Sequence, residues 1–332
     1  MSEIAQAKAL AQRYWAACDA GDTAELSRIL APGVTWEGPW PVKLARSGAE
    51  VAEIWTSPLA RAIPDLQRQF HILTAGVSNA HADGSADGRL WAAGTGYLSG
   101  TAVSDVFGIP ATGQPLRLRW GEFLCIEGGR IVEVQLILDF VDWFEQIGRP
   151  VLRPLGVPGV WPAATAFDAV LNEDQDPRET AQTLQFGRDF IYAGLNGFDQ
   201  DGLSSMGMAD YFHPNLKWYG PGGIGACLSL HEFEDRHQSV WLDAFPDRKV
   251  QNLRALFAEG RVLSGSGTSG VIATHTGPYL GTQASGARLD ISGIDFWLRT
   301  DQQLTENWVF VDMIKLFTQM GVDLFERMKE WP

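Results

Sequence analysis

Apolar residues recur at helical spacing at the start of each half of the chain and at strand spacing later in each half. The helical positions are Ile4, Ala7, Ala11, Tyr14 and Cys18 in the first half, and Phe186, Phe190 and Ala193 in the second. Three long strand patterns follow in each half, at 67–75, 88–103 and 115–127 and again at 250–258, 261–275 and 287–299. Polar turns at 127–130 and 299–303 predict hairpins to a last strand at 131–138 or 304–311. Helices followed by an antiparallel meander predict an α+β fold with a curved sheet wrapped around helices.

The two halves align with each other without a gap over a long stretch. Residues 108–148 match residues 281–321 at a constant offset of 173, and ten of these 41 positions are identical. A second block at an offset of 182 places Trp36 on Trp218, each followed closely by a Gly-Pro pair. Two copies are too few for a solenoid, so each copy is expected to be a complete domain. Four prolines at 149–162 predict a linker, which gives domains at 1–149 and 177–332 joined by a linker at 150–176.

Composition and charge exclude several classes of function. The chain has 332 residues and a net charge of −14, without the basic face that nucleic acid or an anionic membrane would require. No apolar run approaches a membrane span of about 18 residues, and the start of the chain lacks the pattern of a signal peptide. The default expectation is therefore a cytoplasmic protein.

Motifs for metals and cofactors are also missing from the sequence. The three cysteines are far apart and form no CxxC pair. His231 and His237 are six residues apart, so on a helix they point in different directions and do not form a zinc-binding HExxH pair. There is no P-loop and no G-x-S-x-G motif. We therefore expect neither a metal nor an organic cofactor.

The pattern HTGPYLG…SG…FWLR…E-x5-D-x6-QMG in the second copy resembles the SnoaL-like polyketide cyclase family of the NTF2-like superfamily. The second copy has the family's residues at His275, Gly277, Gly281, Gly286, Glu306, Asp312, Gln319 and Gly321. The first copy has GIPATG at 108–113, Glu133, Asp139 and QIG at 146–148, but Ala102 stands where His275 does. The resemblance covers nearly the whole chain twice. It implies two tandem NTF2-like cones that pair as an intrachain pseudo-dimer, with a homodimer of chains left open.

The resemblance implies which side chains enter the cavity of each cone. The family's catalytic acid on the last strand corresponds to Leu136 and Val309, so neither copy has that acid. Its supporting histidine corresponds to Glu122 and Asp295. Because alternate strand residues face the same side, Trp120 in copy one and Trp297 in copy two are expected beside these carboxylates. Burial in an apolar pocket raises the pKa of a carboxyl group and suits it to general acid or base work near neutral pH.

Most of the other candidate residues have two possible roles. His275 is a proton shuttle at the cavity mouth or holds the THTG turn in place. Asp139 and Asp312 are catalytic at the rim or cap the helices that follow them. Trp36, Trp218 and Tyr219 wall the entrance or pack in the core. His237 faces the cavity from its helix.

Three functions are compatible with these candidates. The first is a cofactor-independent cyclase or isomerase that acts by proton transfer on a small to mid-sized apolar carbonyl compound. The alternatives are a non-catalytic ligand-binding or scaffold protein, and an epoxide hydrolase or dehydratase. Copy two is expected to hold the better site, because it keeps His275 and has Gly293 where copy one has Trp120.

Overall fold

The computed structural model describes residues 2–42, 44–197 and 207–331. The described chain divides into two compact units. Unit 1 comprises residues 2–78, 88–139 and 163–174, and unit 2 comprises 79–87, 140–162 and 175–331. Each unit contains one sheet and its own helices, which confirms the predicted α+β class and the duplication. The pairing of the two units as a pseudo-dimer stays a prediction.

Unit 1 begins with two helices that pack on its sheet. Helix α1 (Glu3–Ala20) starts at Ser2, whose hydroxyl accepts a hydrogen bond from the Ala5 N–H, and ends at Gly21 in the left-handed region. Its helices are α1, α2 (Thr23–Ile29), α3 (Gly48–Val51), a π-helical turn π1 (Ala52–Thr56) and α4 (Ser57–Ala62). Its strands are β1 (Leu30–Glu37), β2 (Leu44–Ala45), β3 (Gln67–Val77), β4 (Leu90–Thr101), β5 (Pro115–Glu127), β6 (Arg130–Leu138) and β7 (Ala169–Val170).

The sheet of unit 1 has the strand order β2-β1-β6-β5-β4-β3-β7. The meander β3 to β6 is antiparallel as predicted, whereas β1 joins β6, and β7 joins β3, in parallel. The hairpin between β5 and β6 turns on Gly128 and Gly129, at φ of 57° and 74°. A two-residue turn with both φ angles positive favours glycine because a Cβ would be strained there.

Unit 2 repeats this order with a longer set of elements. Its helices are α5 (Phe140–Gln146), α6 (Pro177–Arg188), π2 (Asp189–Gly194), a 3₁₀ turn (Met208–Asp210), α7 (Leu230–Phe233), π3 (Glu234–Gln238), α8 (Ser239–Ala244), α9 (Met313–Gln319) and α10 (Leu324–Lys329). Its strands are β8 (Phe212–Tyr219), β9 (Ala226–Cys227), β10 (Lys249–Val250), β11 (Ala255–Glu259), β12 (Val262–Thr274), β13 (Arg288–Thr300) and β14 (Gln303–Val311). Strands β10-β12-β13-β14-β8-β9 are neighbours in that order, and β11 also pairs with β12.

One predicted strand of unit 2 is divided. The pattern at 250–258 forms β10 and β11, which pair with two different stretches of β12. Between these stretches the register of β12 against β13 shifts, from Gly267 to Val271. A bulge of this kind bends a strand and interrupts the ladder, so one straight partner cannot follow β12 along its whole length.

The proline-rich stretch predicted as a linker is packed in the structure. Residues 163–174 supply β7 of unit 1, and residues 140–162 belong to unit 2. In unit 2 the Trp161 ring contacts Phe310 edge-on at 4.8 Å, and the Trp308 indole N–H donates to the Pro162 carbonyl at 2.8 Å. Trp308 and Phe310, which lie on the face of β14 opposite to Val309, are therefore covered by residues of the same unit.

Candidate functional site

Unit 2 contains a cavity of about 190 Å³ between its sheet and its helices. The sheet contributes alternate residues of two neighbouring strands, Gly293, Asp295 and Trp297 from β13 and Asn307, Val309 and Val311 from β14. The helical side contributes Phe190, Ile191, Phe233, His237, Gln238 and Trp241. Trp218, from the end of β8, also lines the cavity. These side chains give a largely apolar wall with a few polar groups, which is the usual composition of a small-molecule site.

Asp295 is the carboxyl group of this cavity. It lies opposite Val309 in the β13–β14 ladder and keeps part of its surface accessible. Burial raises its pKa from the ordinary 3.8 to about 7, and a hydrogen bond from Asn307 partly offsets this rise. The Asn307 amide donates to Asp295 Oδ1 at 3.4 Å and to the Phe296 carbonyl at 3.0 Å. Among the described residues no cation forms an ion pair with Asp295, so near neutral pH both of its protonation states are populated.

His237 forms part of an aromatic wall on the opposite side. Its ring stacks on Trp218 at 4.2 Å between centroids, with 23° between the planes, and contacts Phe233 at 5.4 Å. Burial and, to a smaller extent, the charge of Arg248 lower the pKa of His237 to about 3. The imidazole is therefore neutral at physiological pH and can donate or accept a hydrogen bond without adding charge.

Sequence reasoning missed three polar residues of the cavity, Arg248, Gln238 and Ser266. Arg248 donates from Nη1 to the Leu195 carbonyl at 2.9 Å, and burial lowers its pKa to about 10, so it stays cationic at neutral pH. Gln238 is 4% exposed, and its Oε1 has no hydrogen-bond partner among the residues that the structure describes. One signal was available, because at the offset of 182 Arg248 stands where copy one has the apolar Leu66.

Glu122, the corresponding acid of unit 1, is enclosed by its own domain. Tyr14 donates to its Oε1 at 2.9 Å and the Trp15 indole donates to its Oε2 at 2.6 Å, while the Trp36 indole donates to the Tyr14 hydroxyl at 2.9 Å. Burial raises the pKa of Glu122 to about 7, and the nearby Arg68 charge opposes this rise. Only 2% of Glu122 is exposed, and both of its oxygens accept hydrogen bonds from side chains of its own unit.

The space above Glu122 is filled by aromatic side chains. The Trp120 ring lies 5.5 Å from Trp15 and 5.4 Å from Phe70. A Cβ added to Gly94 would lie 2.9 Å from the Trp15 ring, so the packing leaves no room even for a methyl group. The four residues predicted to line this hollow, Glu122, Trp36, Trp120 and Leu136, are all buried, and large rings from separate elements meet beside Glu122. Their place in a ligand cavity stays a prediction.

The remaining predicted residues lie outside the lining of the unit 2 cavity. His275 is fully buried, and its Nδ1 accepts from the Ser285 backbone N–H at 3.2 Å, which holds the turn at 275–285. Asp312 caps α9 by accepting from the Lys315 N–H at 2.9 Å. Asp139 is buried 3.4 Å from Arg119 as an ion pair. The Tyr219 hydroxyl donates to Glu306 at 3.4 Å, away from the cavity.

The described residues hold no group of three or more His, Cys, Asp and Glu side chains placed to bind a metal ion. Within the same residues, no helix is both long enough and apolar enough to cross a membrane.

Two family models match the sequence, one on each half. The model of the SnoaL-like domain matches residues 11–134, and the model of the SnoaL-like polyketide cyclase matches residues 201–320. Among curated proteins, none matches.

Several solved structures are similar to part of this chain. A protein from Jannaschia sp. CCS1 that carries the SnoaL-like polyketide cyclase name is 18% identical over 45% of this chain and 98% of its own, with a TM-score of 0.37. IdmH from Streptomyces antibioticus is 20% identical over 42% and 96%, with a TM-score of 0.35. TsrD from Streptomyces laurentii is 21% identical over 45% and 98%, with a TM-score of 0.33.

Proposed function

Because the chain carries two SnoaL-like domains in tandem, we propose that its second unit is a cofactor-independent cyclase or isomerase that moves a proton next to the carbonyl of a small to mid-sized apolar compound. One observation carries this proposal. The Asp295 carboxyl lines an otherwise largely apolar cavity, and its pKa is raised to about 7. A general acid or base works best when its pKa lies near the operating pH.

In the proposed reaction the Asp295 carboxylate removes a proton from the carbon next to the substrate carbonyl. The electron pair of that C–H bond moves to the carbonyl oxygen as an enolate, and Asp295 becomes a neutral acid. The neutral His237 ring donates a hydrogen bond to the enolate oxygen. Asp295 then returns the proton to another carbon in an isomerisation, or to the alkoxide formed when the enolate closes a ring. Asn307 orients the carboxyl, and Trp218, Trp297 and Val309 contact the apolar part of the substrate.

Proton exchange on a simple ketone tests this proposal directly. An apolar cavity of about 150 Å³ holds one benzene molecule. The unit 2 cavity is larger, about 190 Å³, and it is open, so the bicyclic ketone 2-tetralone is a suitable probe. In D₂O the protein should speed the loss of the C1 protons of 2-tetralone, followed by ¹H NMR. The rate should rise with pH through about 7, because the base is the ionised form of Asp295.

Two matched variants distinguish the sites. Asp295→Asn should lower the protein-dependent exchange rate by about 10²-fold or more, while Glu122→Gln should leave it unchanged. Folding of both variants is checked by circular dichroism. Binding of 2-tetralone without faster exchange would favour the alternative of a non-catalytic binding protein, and an unchanged rate in Asp295→Asn would refute the assigned role.

A further inference from the structure

The polar groups of the unit 2 cavity are not gathered at one place. Asp295 and Asn307 belong to the sheet, while Gln238 ends the turn π3 and Arg248 immediately precedes β10. The charge of Arg248 acts on His237, the neighbour of Gln238, whereas burial and the Asn307 amide are what shift the pKa of Asp295. Arg248 is therefore not the counter-ion of Asp295, and the cavity has a second polar end on its helical side.

The side chain of Gln238 points to a ligand at this second end. It lines the cavity, only 4% of it is exposed, and its Oε1 has no hydrogen-bond partner in the described part of the chain. Buried amides nearly always find partners, so an unpartnered one beside a cavity indicates a group that arrives from outside. Because the oxygen and nitrogen of an amide are interchanged by a flip, Gln238 can present either an acceptor or an N–H donor.

Arg248 supplies the chemistry that selects this group. Arg248 lines the cavity as a cation, and one of its guanidinium nitrogens, Nη1, donates to the Leu195 carbonyl. Its planar N–H groups match the two oxygens of a carboxylate, and the Gln238 amide can add a further N–H donor to the same oxygens.

We propose that the ligand of unit 2 is an apolar ring compound with a carboxylate, which is bound by Arg248 and Gln238 on the helical side of the cavity. Insofar as it places the reacting carbon at Asp295, this inference rests on the proposed function. The substrate class is then an apolar keto acid, whose carboxylate is anchored at one end while its enolisable carbon faces the other.

A matched pair of probes tests the recognition step without requiring turnover. The probes are 2-naphthoate and its neutral analogue 2-acetylnaphthalene, titrated into the full chain by isothermal calorimetry at pH 6, where Asp295 is mostly protonated. The wild-type protein should bind naphthoate about tenfold or more tightly than the ketone, as expected for a charge-assisted hydrogen bond. Arg248→Met should abolish this preference, Arg248→Lys should keep part of it, and Gln238→Leu should weaken naphthoate binding about threefold to tenfold.

The Asp295→Asn variant separates this inference from the proposed function. It should keep the preference for naphthoate while losing proton exchange on 2-tetralone. A wild-type protein that binds naphthoate no more tightly than the ketone, or that does not bind it at millimolar concentration, overturns the inference. So does a preference that survives in Arg248→Met. If Arg248→Met does not fold, Gln238→Glu decides: a preference that survives the added negative charge would overturn the inference, and its loss would support it.

Discussion

Replacing Asp295 by Asn should stabilise the protein, and the gain should grow with pH. The folded state raises the pKa of this carboxyl from 3.8 to about 7 by burial. Well below pH 3.8 the group is protonated in both the folded and the unfolded chain, so its ionisation has no effect on stability. Between pH 4 and pH 7 the unfolded chain ionises while the folded protein keeps the proton, so the wild type loses stability as the pH rises. Asn does not titrate and avoids this loss.

The size of the effect follows from the shift. One pKa unit corresponds to about 1.36 kcal/mol, so a rise of roughly 3 units costs the wild type about 4 kcal/mol above pH 7. At pH 5.5 the cost is about 2 kcal/mol, because this pH lies only about 1.7 units above the unfolded-state pKa of 3.8. These figures are upper bounds, since Asp295 keeps part of its surface accessible. The free energy of unfolding of Asp295→Asn, relative to wild type, should therefore increase by up to about 2 kcal/mol between pH 5.5 and pH 8.

Urea denaturation followed by tryptophan fluorescence at the two pH values measures this difference. Glu122 titrates in both proteins, so its contribution cancels in the comparison. A matched control is Asp243→Asn, which changes an exposed carboxylate of the same unit and should alter stability by less than about 0.5 kcal/mol at either pH. If Asp295→Asn gives the same stability change at pH 5.5 and pH 8, Asp295 is ionised and well solvated in the folded state, and the chemical argument fails with it.

Three other substitutions test the contrast between the two units by urea denaturation. Trp120→Ala should lower the free energy of unfolding of unit 1 by about 3–5 kcal/mol, because its ring packs on Trp15; a cost below about 1 kcal/mol would contradict the packed interior. Tyr14→Phe should cost about 1–3 kcal/mol, since Glu122 loses a donor; an unchanged stability would argue against that network. His275→Ala should lower the free energy of unfolding by about 1–3 kcal/mol without changing the 2-tetralone exchange rate of the folded protein. A tenfold slower exchange would instead indicate that His275 is a catalytic residue.

Local patterns were enough to predict the order of elements, and together with the family resemblance they predicted which strand residues line the cavity. Successive side chains of a strand point to opposite faces, so one anchored position assigns the rest. The family resemblance anchored Val309 and Asp295, and the rule then added Trp297 beside Asp295. The hairpin at Gly128 and Gly129 was equally readable, because a turn with positive φ angles favours glycine.

The proline-rich stretch was predicted less well. Proline argues against helices and central strands, which correctly excluded regular elements from residues 149–162. It says nothing about whether an irregular segment packs on a sheet. The contact of Trp161 with Phe310 depends on residues about 150 positions apart, and no local pattern encodes it.

The repeated blocks were thus sufficient to identify two related domains, and the family resemblance, extended by alternation along the strands, predicted an acid on the inner face of each. Whether that acid meets an open cavity was decided by tertiary packing. In unit 1, Trp15 and Trp120 come from a helix and a strand and together fill the space over Glu122. In unit 2, Gly293 stands in place of Trp120, and the room beside Asp295 stays open. The free volume beside each acid depends on side chains from distant parts of the chain, and these side chains come together only in the folded protein.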